Sequence, residues 1–321
     1  MVFNACETEP INETGNYETK SSTDFVRTYT DGSGQIEIIY IEKRYNSEDE
    51  GDPADFKKTT LVPDGYICIG GSVSIPGIGA FIYESYPSSG RNDAYKGWTI
   101  AAKYHGNNSP KIGFPVTISV IGLRLKDNDG KYIPESKLKE YMLIKRGYSS
   151  FAKFNRTSAT LPNDYELIGG GANLDFLGFG EVSKNGALLK ESYPSGNTWI
   201  ASGGSYIFPA ASKLSAFAIG IKKEIPNFGN IEKYVLNDFT GSCVNNSCSD
   251  TEAFPLVGPG GTFLGTCPGF KINPASEGWY ANRLFTRTEN NSRLDAQSLP
   301  INTTSRGSMD ASLIVVRRRN Q

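Results

Sequence analysis

The sequence holds one histidine, His105, with three methionines and three tryptophans among 321 residues. A single imidazole excludes a zinc site built from several histidines of this chain. A Ser-His-Asp or Cys-His centre would have to use His105. That residue lies in Lys103-Tyr104-His105-Gly106, and no Gly-x-Ser-x-Gly elbow accompanies it. Charge of one sign is also lacking, since 33 basic against 34 acidic side chains leave a net charge of -1. That balance removes the electrostatic footprint of a general nucleic-acid binder. No run of 18 apolar residues exists, so no transmembrane helix is encoded. Met1 to Pro10 has neither a basic start nor an apolar run, and no signal peptide is visible.

Glycine is in excess instead, at 35 residues, accompanied by 17 Tyr and 17 Phe. This mixture predicts many short strands joined by tight turns. The strongest signal is self-similarity. Tyr66-Ile67-Cys68-Ile69-Gly70-Gly71 returns as Tyr165-Glu166-Leu167-Ile168-Gly169-Gly170, with a weaker third copy at Phe254-Pro255-Leu256-Val257-Gly258. Glu84-Ser85-Tyr86-Pro87 returns as Glu191-Ser192-Tyr193-Pro194, and the third copy reads Lys271-Ile272-Asn273-Pro274. A tryptophan follows each: Trp98, Trp199 and Trp279. Each unit closes on an apolar strand ending in a base, at Arg124, Lys222 and Arg317. Opening strands are predicted at Gln35 to Tyr45, Leu138 to Ile144 and Ile231 to Leu236, with a short helix at Glu135 to Lys145 as an alternative for the second.

These landmarks predict an N-terminal segment at 1–24 and one domain at 25–321, with repeats at 25–126, 135–223 and 229–319. Each repeat reads as about four strands. Three such units cannot each bury a face alone, so a shared core is expected. The predicted fold is all-β, a pseudo-threefold, β-prism-like domain of three antiparallel repeats of roughly 95 residues. A β-trefoil has repeats about half this length, and three separate sandwiches would need linkers.

Cys68 aligns with Leu167 and reads as a buried thiol. Cys243 and Cys248 can close a small disulfide loop, with Cys6 and Cys267 as other partners. The Gly-Gly pairs lack a following Gly-Lys-Ser/Thr, so a bulge or a close approach of sheets is expected, not a phosphate loop. Asp127-Asn128-Asp129-Gly130 reads as a turn. The acidic stretch Glu48, Asp49, Glu50, Asp52 and Asp55 reads as a solvated loop, and Arg317-Arg318-Arg319 as a solvated strand end. No metal site and no cofactor are predicted.

Glu84 and Glu191 are the tempting pair for carboxylate-dependent glycoside hydrolysis. They occupy equivalent places in two repeats, which holds them apart, so no catalytic residues are assigned. Binding fits better. Tyr86, Tyr193, Trp98 and Trp199 offer aromatic faces for a sugar or a membrane interface, although a tryptophan once per repeat reads first as a core residue. Glu84, Glu191, Asn92, Asp93 and Asn197 offer hydrogen bonds to sugar hydroxyls.

In repeat number, strand-rich composition and Gly-Gly strands over 25–319, the chain resembles the β-prism proteins. That group includes plant-type lectins and receptor-binding domains of bacterial pore-forming and insecticidal toxins. Gln-x-Asp-x-Asn-x-Val-x-Tyr, a defining sugar-binding motif of lectin prisms, is absent, as is a convincing Gly-x-x-x-Asp closing loop. The Gly-Gly…Glu-Ser-Tyr-Pro…Trp pattern is also similar to repeat modules of secreted bacterial proteins. The resemblance is one of fold, and fold does not fix function.

The expected function is non-enzymatic binding of a glycan or cell-surface ligand, as a lectin or the targeting part of a toxin. A membrane surface is a further candidate partner, and a homo-oligomer is compatible with the sequence. The expectation for localisation is a secreted or released protein. The alternatives are a structural or self-assembling adhesion or shell protein, using edge strands and tyrosines, and the hydrolase.

Overall fold

The segments Ile36-Glu37-Ile38-Ile39-Tyr40-Ile41 and Val116-Thr117-Ile118-Ser119-Val120-Ile121 carry β-branched or aromatic residues at most positions, and both strands are buried almost throughout. The computed structural model describes residues 24–45, 55–75, 80–88, 95–104, 116–176, 187–204, 211–244, 247–248, 251–273, 279–287, 293–300 and 308–319. Cys6, Glu48 to Asp52, Asn92, Asp93 and His105 lie outside the described residues.

The chain is all-β, with antiparallel pairing throughout the named strands. The first stretch supplies β1 (Asp24–Thr30), β2 (Ile36–Tyr45), β3 (Asp55–Leu61), β4 (Ile67–Ser74), β5 (Ala80–Pro87), β6 (Gly97–Tyr104) and β7 (Val116–Leu125). A short helix, α1 (Glu135–Glu140), buries Leu138 and leads into the second stretch. That stretch holds β8 (Met142–Tyr148), β9 (Phe154–Thr160), β10 (Tyr165–Phe176), β11 (Leu188–Ser195), β12 (Thr198–Gly204) and β13 (Ser212–Lys222). Then come β14 (Glu224–Ile225), β15 (Gly229–Val244), β16 (Ser247–Cys248), β17 (Thr251–Pro255), β18 (Leu264–Asn273), β19 (Trp279–Arg287), β20 (Arg293–Pro300) and β21 (Ser308–Arg318).

Three sheets form. Sheet one runs β1-β2-β7-β4-β19-β20-β17, sheet two β3-β6-β5-β10-β13-β8, and sheet three β14-β15-β21-β18-β11-β12-β9, with β16 on β15. Each sheet therefore joins strands of two stretches. The joins are β4 to β19 at Val73 and Ser74, β10 to β5 at Ala172 and Asn173, and β11 to β18 at Glu191 and Ser192. A register shift recurs beside each join, at Cys68/Gly70, Leu167/Gly169 and Gly265/Cys267 on one side. On the other side it falls at Ile82/Glu84, Leu189/Glu191 and Ala281/Arg283.

The Gly-Gly pairs sit at these bulges, as expected, and they permit close approach of sheets. A Cβ on Gly169 would collide with the Ile69 carbonyl, and one on Gly70 would lie 2.5 Å from the Thr266 carbonyl oxygen. Cys68 and Cys267 are fully buried free thiols in this region. The Asp127–Gly130 turn is also as expected. Asp127 accepts the backbone N–H groups of Asp129 (3.0 Å) and Lys131 (2.9 Å), and Gly130 has φ +77°.

Several expectations are corrected. Phe254-Pro255 ends β17, which pairs with β20. The bulge of the kind carried by β4 and β10 lies at Gly265/Cys267, so the counterpart of Cys68-Ile69-Gly70 is Gly265-Thr266-Cys267. The counterpart of Glu84 to Pro87 is Arg283-Leu284-Phe285-Thr286, not Lys271 to Pro274. Trp98 pairs with Pro87 and Trp199 with Pro194, whereas Leu294 pairs with Thr286, so Leu294 replaces Trp279 as the third equivalent. Strands β3, β9 and β17 were not expected. The helix ends at Glu140, and the second opening strand starts later, at Met142. Asp55, the last of the acidic stretch, begins β3. Cys243 and Cys248 are register partners in the β15–β16 pair.

Candidate functional site

Most of the expected ligand contacts are taken up within the protein. Trp98 and Trp199 are each 1% exposed. Their indole N–H groups donate to Ser85 Oγ and Ser192 Oγ, both at 3.0 Å. Each Ser of the two Ser-Tyr-Pro motifs is thus the partner of a core tryptophan, and replacing either Trp by Ala would cost about 3–5 kcal/mol. These rings have no free face for a ligand. Asn197 is also spent internally. Its Oδ1 accepts the Leu167 N–H (3.0 Å), and its Nδ2 donates to the carbonyls of Pro162 (3.1 Å) and Tyr165 (2.9 Å). It clamps the β11–β12 turn to the start of β10.

Glu84 and Glu191 are buried and lie in different sheets. Lys57 Nζ is 2.6 Å from Glu84, and the Arg156 guanidinium is 3.8 Å from Glu191. Asn92 and Asp93 lie outside the described residues.

The two tyrosines have different surroundings. Tyr86 stacks on Phe217, with ring centroids 5.3 Å apart and planes at 21°. Burial raises its pKa, as does the nearby Glu84 charge. Phe217 is paired with Gly171, and a Cβ there would lie 2.9 Å from Tyr86 Cα. The missing side chain lets the two rings meet across the β10 backbone. In sheet three the corresponding pair is Gly269 and Ser312. Serine in place of phenylalanine leaves the ground beside Tyr193 open.

A cleft of about 450 Å³ occupies that ground, a volume within the usual range for small-molecule sites. Tyr193, Pro194, Ser195 and Gly196 form one wall, and Val235, Asn237, Lys271, Asp310 and Ser312 complete it. Pairing registers put Arg156, Ser202, Glu191, Lys271 and Asp310 in one row over five strands. Directly paired residues share a face of the sheet, so positive and negative groups alternate along the row. Lys271 Nζ lies 5.9 Å from the Tyr193 ring centroid. The Tyr193 hydroxyl accepts a hydrogen bond from Arg156 (3.2 Å). Lys233 donates to the Gly196 carbonyl (2.8 Å) and holds the wall turn. Among the described residues, Ser312 Oγ is buried with no hydrogen-bond partner, an uncommon condition for a buried hydroxyl.

Of the expected site residues, Tyr193 alone lines this cleft. Lys271, Asp310, Ser312 and Asn237 were not foreseen as ligand contacts. They come from three strands, and only Lys271 falls in a segment that reads as a motif. Among the described residues, no group of three or more His, Cys, Asp or Glu side chains could hold a metal. No protein-family model matches the chain, and a comparison with curated proteins finds no match.

Proposed function

We propose that the chain is a non-enzymatic binding protein and that the sheet-three cleft takes a sugar unit of a cell-surface glycan. The observation that carries this reading is the Tyr193 wall standing beside Lys271, Asp310, Asn237 and the partnerless Ser312 hydroxyl. A tyrosine ring offers an apolar face with a polar rim. Asp310 accepts, Lys271 donates, and Asn237 and Ser312 do both, which suits the mixed donors and acceptors of sugar hydroxyls. The cleft's mixed-sign charge favours a neutral or weakly charged saccharide over a polyanion.

The proposed frame is a pseudo-threefold prism. Three joins between stretches, each flanked by the same two register shifts, support it. A glycan partner on a cell surface would suit a secreted protein, as a lectin or the targeting part of a toxin.

The test is a glycan array followed by calorimetric titration of each hit. Tyr193→Ala and Asp310→Asn should each weaken binding at least tenfold with unchanged circular dichroism. No glycan bound at millimolar concentration, or binding untouched by both substitutions, would remove the proposal.

A further inference from the structure

The turn between β8 and β9 carries three exposed rings. Tyr148 is 55% exposed, Phe151 44% and Phe154 43%. Exposed phenylalanines grouped in seven residues are unusual on a surface that faces only water. The turn is not loose. Ala152 and Ser212 exchange both backbone hydrogen bonds, at 3.1 and 3.0 Å. Ser149 N–H donates to the Leu214 carbonyl (2.9 Å), and Ser149 Oγ accepts the Leu214 N–H (2.9 Å). The buried Asn155 amide donates to the carbonyls of Ala152 (2.9 Å) and Ser212 (2.8 Å). The rings are therefore presented by a pinned backbone.

Bases surround them. The Arg146 guanidinium lies 4.5 Å from the Tyr148 centroid, Lys213 Nζ lies 4.7 Å from the same ring, and Lys153 Nζ lies 5.2 Å from the Phe154 centroid. Asp175 is paired with Lys213 across the strands.

We propose that this corner docks on an anionic bilayer surface, with Tyr148, Phe151 and Phe154 at headgroup level and Arg146, Lys153 and Lys213 against lipid phosphates. Aromatic rings favour the membrane–water interface, and each base near an anionic leaflet strengthens binding about fivefold. A soluble polyanion would answer the bases but leave the phenylalanines without a partner. A second copy docked by the same corner would bring like charges together across the twofold. None of these residues lines the sheet-three cleft, so the inference stands apart from the sugar reading.

The experiment is co-sedimentation with phosphatidylcholine vesicles, with and without about one-third phosphatidylserine, at low and high salt. Wild type should bind the serine-containing vesicles, with binding weakened by salt. Phe151→Ser should lower partitioning at least tenfold, and Lys153→Gln about fivefold, both with unchanged circular dichroism. Lys153→Gln leaves the rings in place and keeps the test valid if the serine variant folds poorly. Three outcomes would overturn the proposal. One is no vesicle binding by wild type. Another is binding to sulfated dextran in place of vesicles. The third is a wild-type dimer in sedimentation velocity that Phe151→Ser converts to monomer.

Discussion

The indole of Trp98 lies against Gly71 so closely that a Cβ there would come within 2.3 Å of a ring carbon. Gly170 stands in the same relation to Trp199. The second glycine of each Gly-Gly pair is thus the seat of a tryptophan from another strand. Gly71→Ala should destabilise the protein by about 1–3 kcal/mol through overpacking. Adding Trp98→Leu should relieve the clash, so the double substitution costs less than the sum of the two singles. Urea unfolding of the two singles and the double variant reads this out. Strict additivity would refute the contact.

That contact also shows why part of the fold was legible in the sequence. Gly71, Ser85 and Trp98 depend on one another, as do Gly170, Ser192 and Trp199, so both sets hold the same residues in the same order. The third set has Pro268, Leu284 and Leu294 at the paired positions. Without the indole, neither the glycine nor the serine is required, and identity no longer marks the place. Residue likeness points instead to Phe254, Lys271 and Trp279, which the registers set elsewhere. The strands β3, β9 and β17 share no motif and were missed. The cleft was illegible for a different reason. Tyr193, Lys271 and Ser312 lie far apart in the chain and meet only because β11 joins β18 across a seam.

The contrast between Phe217 and Ser312 yields an exchange test. Ser312→Phe should place a ring beside Tyr193, fill the cleft and lower sugar affinity at least tenfold. Phe217→Ser should uncover Tyr86 and open ground on sheet two. Loss of the Tyr86–Phe217 contact would cost about 3–5 kcal/mol at most, by analogy with deletion of a buried ring. Crystal structures of both variants check the geometry, and titration with the sugar found for wild type checks the function. Unchanged affinity in Ser312→Phe would place the ligand elsewhere.

The two core thiols should be inert in the native protein. Burial pushes the Cys68 thiol well above its ordinary range and the Cys267 thiol up to about 12. Thiolate is the reactive form, and neither sulfur is open to solvent. Iodoacetamide at pH 8 should therefore leave the Cys68 and Cys267 peptides unlabelled, and the same treatment in urea should label both. Mass spectrometry distinguishes the states, and rapid native labelling of either would contradict its place in the core.

Glu135 ties α1 to the β-structure. Its carboxylate lies 2.5 Å from Lys96 Nζ and 2.8 Å from Lys139 Nζ, and it accepts the Gly65 N–H at 3.1 Å. Burial acts to raise its pKa, but the hydrogen bonds from Lys139, Lys96 and Gly65 outweigh this and hold it at about 2, against an ordinary value of 4.5. The folded state thus favours the charged form. Its stabilisation is complete above about pH 4.5 and is lost as pH falls toward 2. Glu135→Gln should cost about 1 kcal/mol at neutral pH, the scale of a partly exposed ion pair. The gap between wild type and variant should narrow through that acid window and close near its lower end. Denaturation midpoints measured from pH 7 to pH 2 give the comparison. A gap that stays constant with pH would show that the carboxylate charge contributes nothing.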